Sequence, residues 1–169
     1  MLRIEEVKLS GFRGVNTPRN VKPGPAVTLL FGANGSGKSS VLQAIEWSLT
    51  SSLPYLSGHD FVIEDAITNL FHRKLSTVAT IVRDGEQSLT RKRTRRMAKS
   101  TTRGSSESTL EFEKKVLHDE EVQDKIDSVM GFAGEDFSKV VYLHQESVKE
   151  LLSADPKERS RASTRIGRI

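Results

Sequence analysis

The chain has 169 residues, 36% of them hydrophobic and 28% charged, which is enough apolar material for one ordinary core and too much for wholesale disorder. It contains no cysteine, which excludes a disulfide framework and a thiolate metal site. Lys and Arg number 26 against 22 Asp and Glu, a net charge of +4, so where the positive charge sits matters more than its amount.

Residues 1–6 carry no apolar signal-peptide core, and no run approaches the length of a membrane span. A cytoplasmic protein without a membrane partner is expected. Residues 2–9 read as a strand in which Leu2 and Ile4 alternate, then Val7 and Leu9. The phase slips at Glu5-Glu6, predicting a bulge or break. Residues 14–25 hold two glycines and three prolines and are expected to be loop. Val27-Thr28-Leu29-Leu30-Phe31 is a short apolar run of strand formers, the kind buried on both faces of a sheet. From Lys38 to Leu49 the apolar positions Val41, Leu42, Ile45 and Leu49 fall at helical spacing, with Trp47 in the core.

Between that strand and that helix lies Gly32-Ala33-Asn34-Gly35-Ser36-Gly37-Lys38-Ser39, a complete G-x-x-x-x-G-K-[ST] motif. Each part has a physical task. The glycines let the backbone take positive φ and approach an anion closely. The N–H groups of Asn34, Gly35, Ser36, Gly37 and Ser40 then converge on phosphate oxygens, aided by the positive end of the helix. Lys38 would bridge the β- and γ-phosphates of ATP, and the Ser39 hydroxyl would bind Mg²⁺, a hard ion that prefers oxygen.

Further along, residues 60–74 read as short helix or irregular chain. Residues 77–83 and 87–96 read as two strands joined at Asp84-Gly85. Residues 97–108 are expected to form a flexible tip, and 109–112 another strand. Residues 119–130 form an amphipathic helix with Val122, Ile126 and Val129 inward, an acidic start and a stop at Gly131. Residues 140–143 read as a buried strand, and Asp155-Pro156-Lys157-Glu158 as a helix start. Four histidines, His59, His72, His118 and His144, show no metal-ligand spacing.

The flanks of the motif suggest a family. Ser10-Gly11-Phe12-Arg13-Gly14, the run from Leu30 to Ser40, and Ala44-Ile45-Glu46-Trp47 resemble the opening of SMC-type ATPases, with SbcC-like repair ATPases, RecF and RecN as relatives. Phe137-Ser138-Lys139-Val140-Val141-Tyr142-Leu143-His144-Gln145 resembles the strand and Q-loop of that family. The resemblance implies an α/β fold: the N-terminal lobe of a P-loop, ABC-type ATPase head, with a mixed sheet, an antiparallel β subdomain and flanking helices. Residues 1–169 would make one lobe, with 1–50 the first strands, P-loop and helix, 75–113 the β subdomain, and 117–169 the remaining helices and Q-loop. It also implies that Gln145 reaches Mg²⁺ and the attacking water, joining Lys38 as a catalytic residue, and that Arg13 lies near the γ-phosphate.

In that family a signature loop, a Walker B strand and a later His, carried by a C-terminal half, complete the site. Here only imitations occur. Leu56-Ser57-Gly58-His59 lies too soon after the P-loop, Phe61-Val62-Ile63-Glu64-Asp65 reverses the acidic pair, and Val116-Leu117 precedes Asp119-Glu120 with too short an apolar run. No sustained heptads follow, so the coiled coil is absent. The resemblance implies three partners: that C-terminal half, a second head clamped across ATP, and DNA. A nuclease or other accessory subunit is a fourth candidate. In a bacterium the protein would be nucleoid-associated.

The densest positive stretch is Arg91-Lys92-Arg93-Thr94-Arg95-Arg96. On a strand, Arg91, Arg93 and Arg95 share one face at two strand rises, about 6.6–6.8 Å, a spacing suited to successive phosphates of DNA. The competing reading is a solvated edge strand that uses charge against aggregation. Other classes stay open at this point: a self-contained small NTPase or kinase, a transporter ATPase, and a non-catalytic DNA-binding module whose P-loop holds nucleotide structurally.

Overall fold

The computed structural model describes residues 2–51, 53, 66–69, 71, 75–97, 104–134, 136–137 and 141. Among the described residues six strands form one sheet in the order β2-β1-β3-β4-β5-β6, each pairing antiparallel. They are β1 (Leu2–Ser10), β2 (Arg19–Val21), β3 (Leu75–Asp84), β4 (Gln87–Arg96), β5 (Ser105–Phe112) and β6 (Lys115–His118). Among the described residues the helices α1 (Lys38–Thr50) and α2 (Glu120–Met130) pack on one face.

The predicted slip in β1 is a register shift between Ile4 and Glu6 against β3. At the bulge Glu5 accepts a hydrogen bond from Arg83 Nε at 2.6 Å and one from Arg3 Nη2 at 3.2 Å. The β3–β4 hairpin turns through Gly85-Glu86, with Asp84 paired to Gln87 and Gly85 at φ +59°. Side chains on the helix-facing side alternate with period two: Val7 and Leu9 on β1, Ser76, Val78, Thr80 and Val82 on β3, Leu89 on β4 and Leu110 on β5 are buried. Trp47 of α1 is 2% exposed and tilts against Phe12 with ring centroids 5.5 Å apart. α2 buries Val122 and Ile126 and ends where Gly131 takes φ +78°, its amide bonding to Asp127 O.

Three expectations are corrected. Residues 27–31 form no strand: Val27, Leu29 and Phe31 are 88%, 85% and 94% exposed, and only Leu30 packs on the core. A strand needs a hydrogen-bonding neighbour, and none of the described strands lies beside this run. The β5 strand begins at Ser105, inside the stretch expected as a tip, because residues 105–108 pair with Arg93–Arg96 in register. The loop of residues 14–25 contains β2, and residues 115–118 add the edge strand β6. Of the expected strand at 140–143 only Val141 is described. It is 52% exposed, and its amide bonds Phe137 O in a turn. The imitation motifs at 56–59 and 61–65 and the helix start at 155–158 lie outside the described residues.

Candidate functional site: the glycine loop and its supports

α1 begins directly after the glycine loop, and the loop's shape follows from its residues. Gly37 is the N-cap at φ +91° and Gly35 sits at φ +80°, conformations that side chains with a Cβ rarely adopt. A Cβ on Gly37 would also come within 3.1 Å of Val15 Cγ2. No side chain among the described residues caps α1, and its first turn holds no acidic residue, so the first N–H groups of the helix are left without a side-chain acceptor there, while within the loop the Ser36 amide bonds Ala33 O at 3.2 Å. Asn34, Gly35, Ser36 and Ser39 are exposed. Lys38 folds back on the loop, its Nζ donating to Gly32 O and to Ala33 O at 2.8 Å each.

A second turn braces this loop from below. Gly14 N donates to Ser40 Oγ at 3.2 Å, which turns the buried Ser40 hydroxyl toward the scaffold rather than the mouth of the loop. Arg13 takes φ +47°, and its amide bonds Ile67 O at 2.7 Å. Its Nη1 lies 3.5 Å from Ala66 O, at the limit of a hydrogen bond. Gln145 lies outside the described residues.

The arginine row is the largest departure from the sequence reading. Arg91 and Arg95 are 1% and 3% exposed, so this face of β4 points into the molecule and cannot meet a duplex. Arg91 Nε donates to Ser48 O at 2.9 Å, and Arg93 Nη1 to Trp47 O at 3.0 Å, with its guanidinium 4.5 Å from the Trp47 ring centroid. Arg95 Nη1 donates to Gly104 O and Ser106 Oγ. The helix carbonyls supply the acceptors, and the negative end of the helix dipole supplies part of the compensating charge. Burial pushes the Arg91 guanidinium down to about 10, partly opposed by Asp119, and leaves it charged at neutral pH. The signal was present in the strand phase: counting from apolar Leu89, the period of two puts 91, 93 and 95 inward and exposes Lys92 and Arg96.

Beside the glycine loop runs an apolar groove of about 1130 Å³. Leu42, Ile45 and Leu49 of α1, Leu2 and Ile4 of β1, and Val129 and Met130 of α2 line it, and Lys38 and Ser39 lie at its edge. Among the described residues no helix is long and apolar enough to cross a membrane.

Comparison with known proteins places this arrangement. A family model described as AAA domain matches residues 6–166. The DNA replication and repair protein RecF of Pseudomonas savastanoi pv. phaseolicola, and that of Pseudomonas syringae pv. syringae, are each 43% identical over 44 residues. That match spans 26% of this chain and 12% of each RecF protein. A chain solved in work on the structural biochemistry of ATP-driven dimerization and DNA-stimulated activation of SMC ATPases superposes with a TM-score of 0.63 at 21% identity, covering 97% of this chain and 99% of that one. The SMC head domain from Thermotoga maritima superposes with a TM-score of 0.56 at 22% identity, covering 90% of this chain but 51% of the head. The chain belongs to the AAA domain family, and its fold is that of the N-terminal lobe of an SMC-type ATPase head.

Proposed function

We propose that this chain is the ATP-binding first lobe of an SMC- and RecF-like ATPase that acts in DNA repair or chromosome maintenance. The observation that carries the reading is the glycine loop: positive-φ glycines at a helix start without a side-chain cap, with a lysine ammonium held on two loop carbonyls. Such a cradle suits a polyphosphate, because backbone donors and the helix dipole act on the same anion. On binding, Lys38 would exchange its two carbonyl acceptors for β- and γ-phosphate oxygens, which are stronger acceptors. The exposed Ser39 hydroxyl would ligate Mg²⁺, which when bound neutralises charge on those phosphates. In this reading Gln145 orients the attacking water, and Arg13 swings from Ala66 O toward the γ-phosphate.

Hydrolysis requires a second lobe. Support comes from the exposed apolar run at residues 27–31, from the adjoining apolar groove, and from the half of the Thermotoga head that this chain does not cover. The missing lobe would pair with the run, fill the groove, and bring signature and Walker B residues. Two completed heads would clamp ATP between them. DNA, and a nuclease or other accessory subunit, would be further partners in the cytoplasm. The positive side chains available to DNA on β4 are then Lys92 and Arg96, on the face opposite the helices.

The test is equilibrium titration with a fluorescent ATP analogue and Mg²⁺. Lys38→Ala is expected to weaken binding by about 10- to 150-fold, the equivalent of a hydrogen bond to a charged group. Gly37→Val, which places a side chain against Val15, is expected to abolish it. Unchanged affinity in both variants would remove the phosphate from this loop.

A further inference from the structure

The helix that starts at the glycine loop is held at its other end by side chains from two different elements. Helix geometry puts that end about 18 Å from the loop. An α-helix leaves its last four carbonyls without partners inside the helix. In α1 two of those carbonyls have side-chain partners from elsewhere, Ser48 O accepting from Arg91 Nε and Leu49 O from Gln123 Nε2 at 3.1 Å, and Trp47 O, already bonded by the Ser51 amide at 3.2 Å, accepts from Arg93 Nη1 as well. Ser51, left-handed at φ +63°, closes the set. Its hydroxyl receives Arg91 Nη2 at 3.2 Å and donates to Gln123 Oε1 at 2.8 Å. Below this cluster Ser48 Oγ and Thr80 Oγ1 lie 2.6 Å apart, in a buried hydroxyl pair that ties the same helical turn to β3.

A guanidinium withdrawn from water at Arg91, with a half-buried one at Arg93 beside it, is an expensive way to finish a helix. Well-packed apolar residues of similar volume commonly do as well for stability alone. What apolar residues lack is direction. The arginines fix the rotation and axial position of α1 against β4, and Gln123 fixes the same helix against α2. The loop runs directly into the first turn of that helix, so a rotation at the far end re-aims its amides together. We propose that Arg91, Arg93 and Gln123 are positioning residues for the nucleotide site, setting the aim of the glycine-loop amides through α1. This rests on the phosphate-binding reading of the loop.

The experiment compares Arg91→Met and Gln123→Ala with Leu89→Ala, in the 169-residue chain. Leu89 is 2% exposed on β4, two residues before Arg91, and donates no hydrogen bond to the α1 carbonyls. Urea unfolding gives the stability of each variant. Affinities for Mg-ATP and for inorganic tripolyphosphate are then measured on fully folded protein. The expected result is about tenfold weaker binding of both ligands in Arg91→Met and severalfold weaker binding in Gln123→Ala, with Leu89→Ala unchanged. The ¹⁵N–¹H signals of Gly35 and Gly37 should move in the first two variants and stay in the third. Equal affinities and unmoved glycine signals in all three, or losses that simply follow stability, would overturn the positioning role. If Arg91→Met does not fold, Gln123→Ala against Leu89→Ala decides. Failure of the unmodified chain to bind either ligand would instead sink the phosphate reading itself.

Discussion

Val27-Thr28-Leu29-Leu30-Phe31 and Val78-Ala79-Thr80-Ile81-Val82 have nearly the same makeup, yet they meet opposite fates. The second lies in β3, hydrogen-bonded to β1 on one side and β4 on the other, with Val78 and Thr80 fully buried. The first has Val27, Leu29 and Phe31 almost bare. β-propensity describes fit to a half-buried pleated surface, and a run without such a surface stays outside any sheet. The difference locates the uncovered side of the molecule: the bare run leads into the glycine loop, whereas β3 lies inside a six-stranded hydrogen-bonded layer.

The comparison is sharpest under a buried charge. Val78→Asp should unfold the lobe, costing about 4 kcal/mol or more, because Val78 is fully buried and an unpaired carboxylate there has no compensating partner. Phe31→Ser should change the unfolding free energy read from urea titration by no more than about 0.5 kcal/mol, as for other exposed positions. A loss of several kcal/mol at Phe31 would show that the run is packed after all, and the contrast with β3 would collapse. Hydrogen exchange gives the next test. Amides of β3 should exchange only through global opening, and those of residues 27–31 close to the unprotected rate.

Much of the fold was legible because period and punctuation agree in it. The slip at Glu5-Glu6, the hairpin at Gly85, and α2 with its Gly131 stop each follow from local chemistry that the tertiary structure keeps. The glycine loop was legible for the same reason: its residues set its shape. What escaped reading depends on neighbours distant in sequence. Residues 27–31 form no strand because no described strand lies beside them, which their own composition does not announce. Whether Arg91 meets solvent is decided by the end of a helix 40 residues earlier in the chain. The bracing turn at Gly14 and Val15 was missed because nothing in its own residues announces Ser40 or Gly37 as contacts.

A smaller effect separates the rim from the core. Double replacement of Leu29 and Phe31 by Ser should reduce binding of an apolar reporter dye while leaving Mg-ATP affinity within about twofold, since both side chains point to solvent. Equal dye binding would place the sticky surface elsewhere. The smallest effect is at the β1 bulge. Hydrogen bonding from Arg83 holds the Glu5 carboxyl below its ordinary value, with Arg3 contributing. A depressed carboxylate adds stability above its unfolded-state value and loses it as pH falls through the folded one. Glu5→Gln should therefore be slightly less stable than the parent at pH 7. The gap should close below the ordinary carboxylate range, as read by paired urea titrations. A gap that persists at low pH would assign it to packing.

The bare run at residues 27–31 also has a cost in time. If its complement follows on the same polypeptide, the ribosome finishes this lobe first and the apolar segment waits for a mate. At about 5–20 residues per second, each hundred residues in between prolongs that wait by roughly 5–20 s. Newly made chains would be most prone to stick to one another during that interval, so folding factors that shield nascent apolar segments should influence the yield of this protein more than its finished stability would suggest.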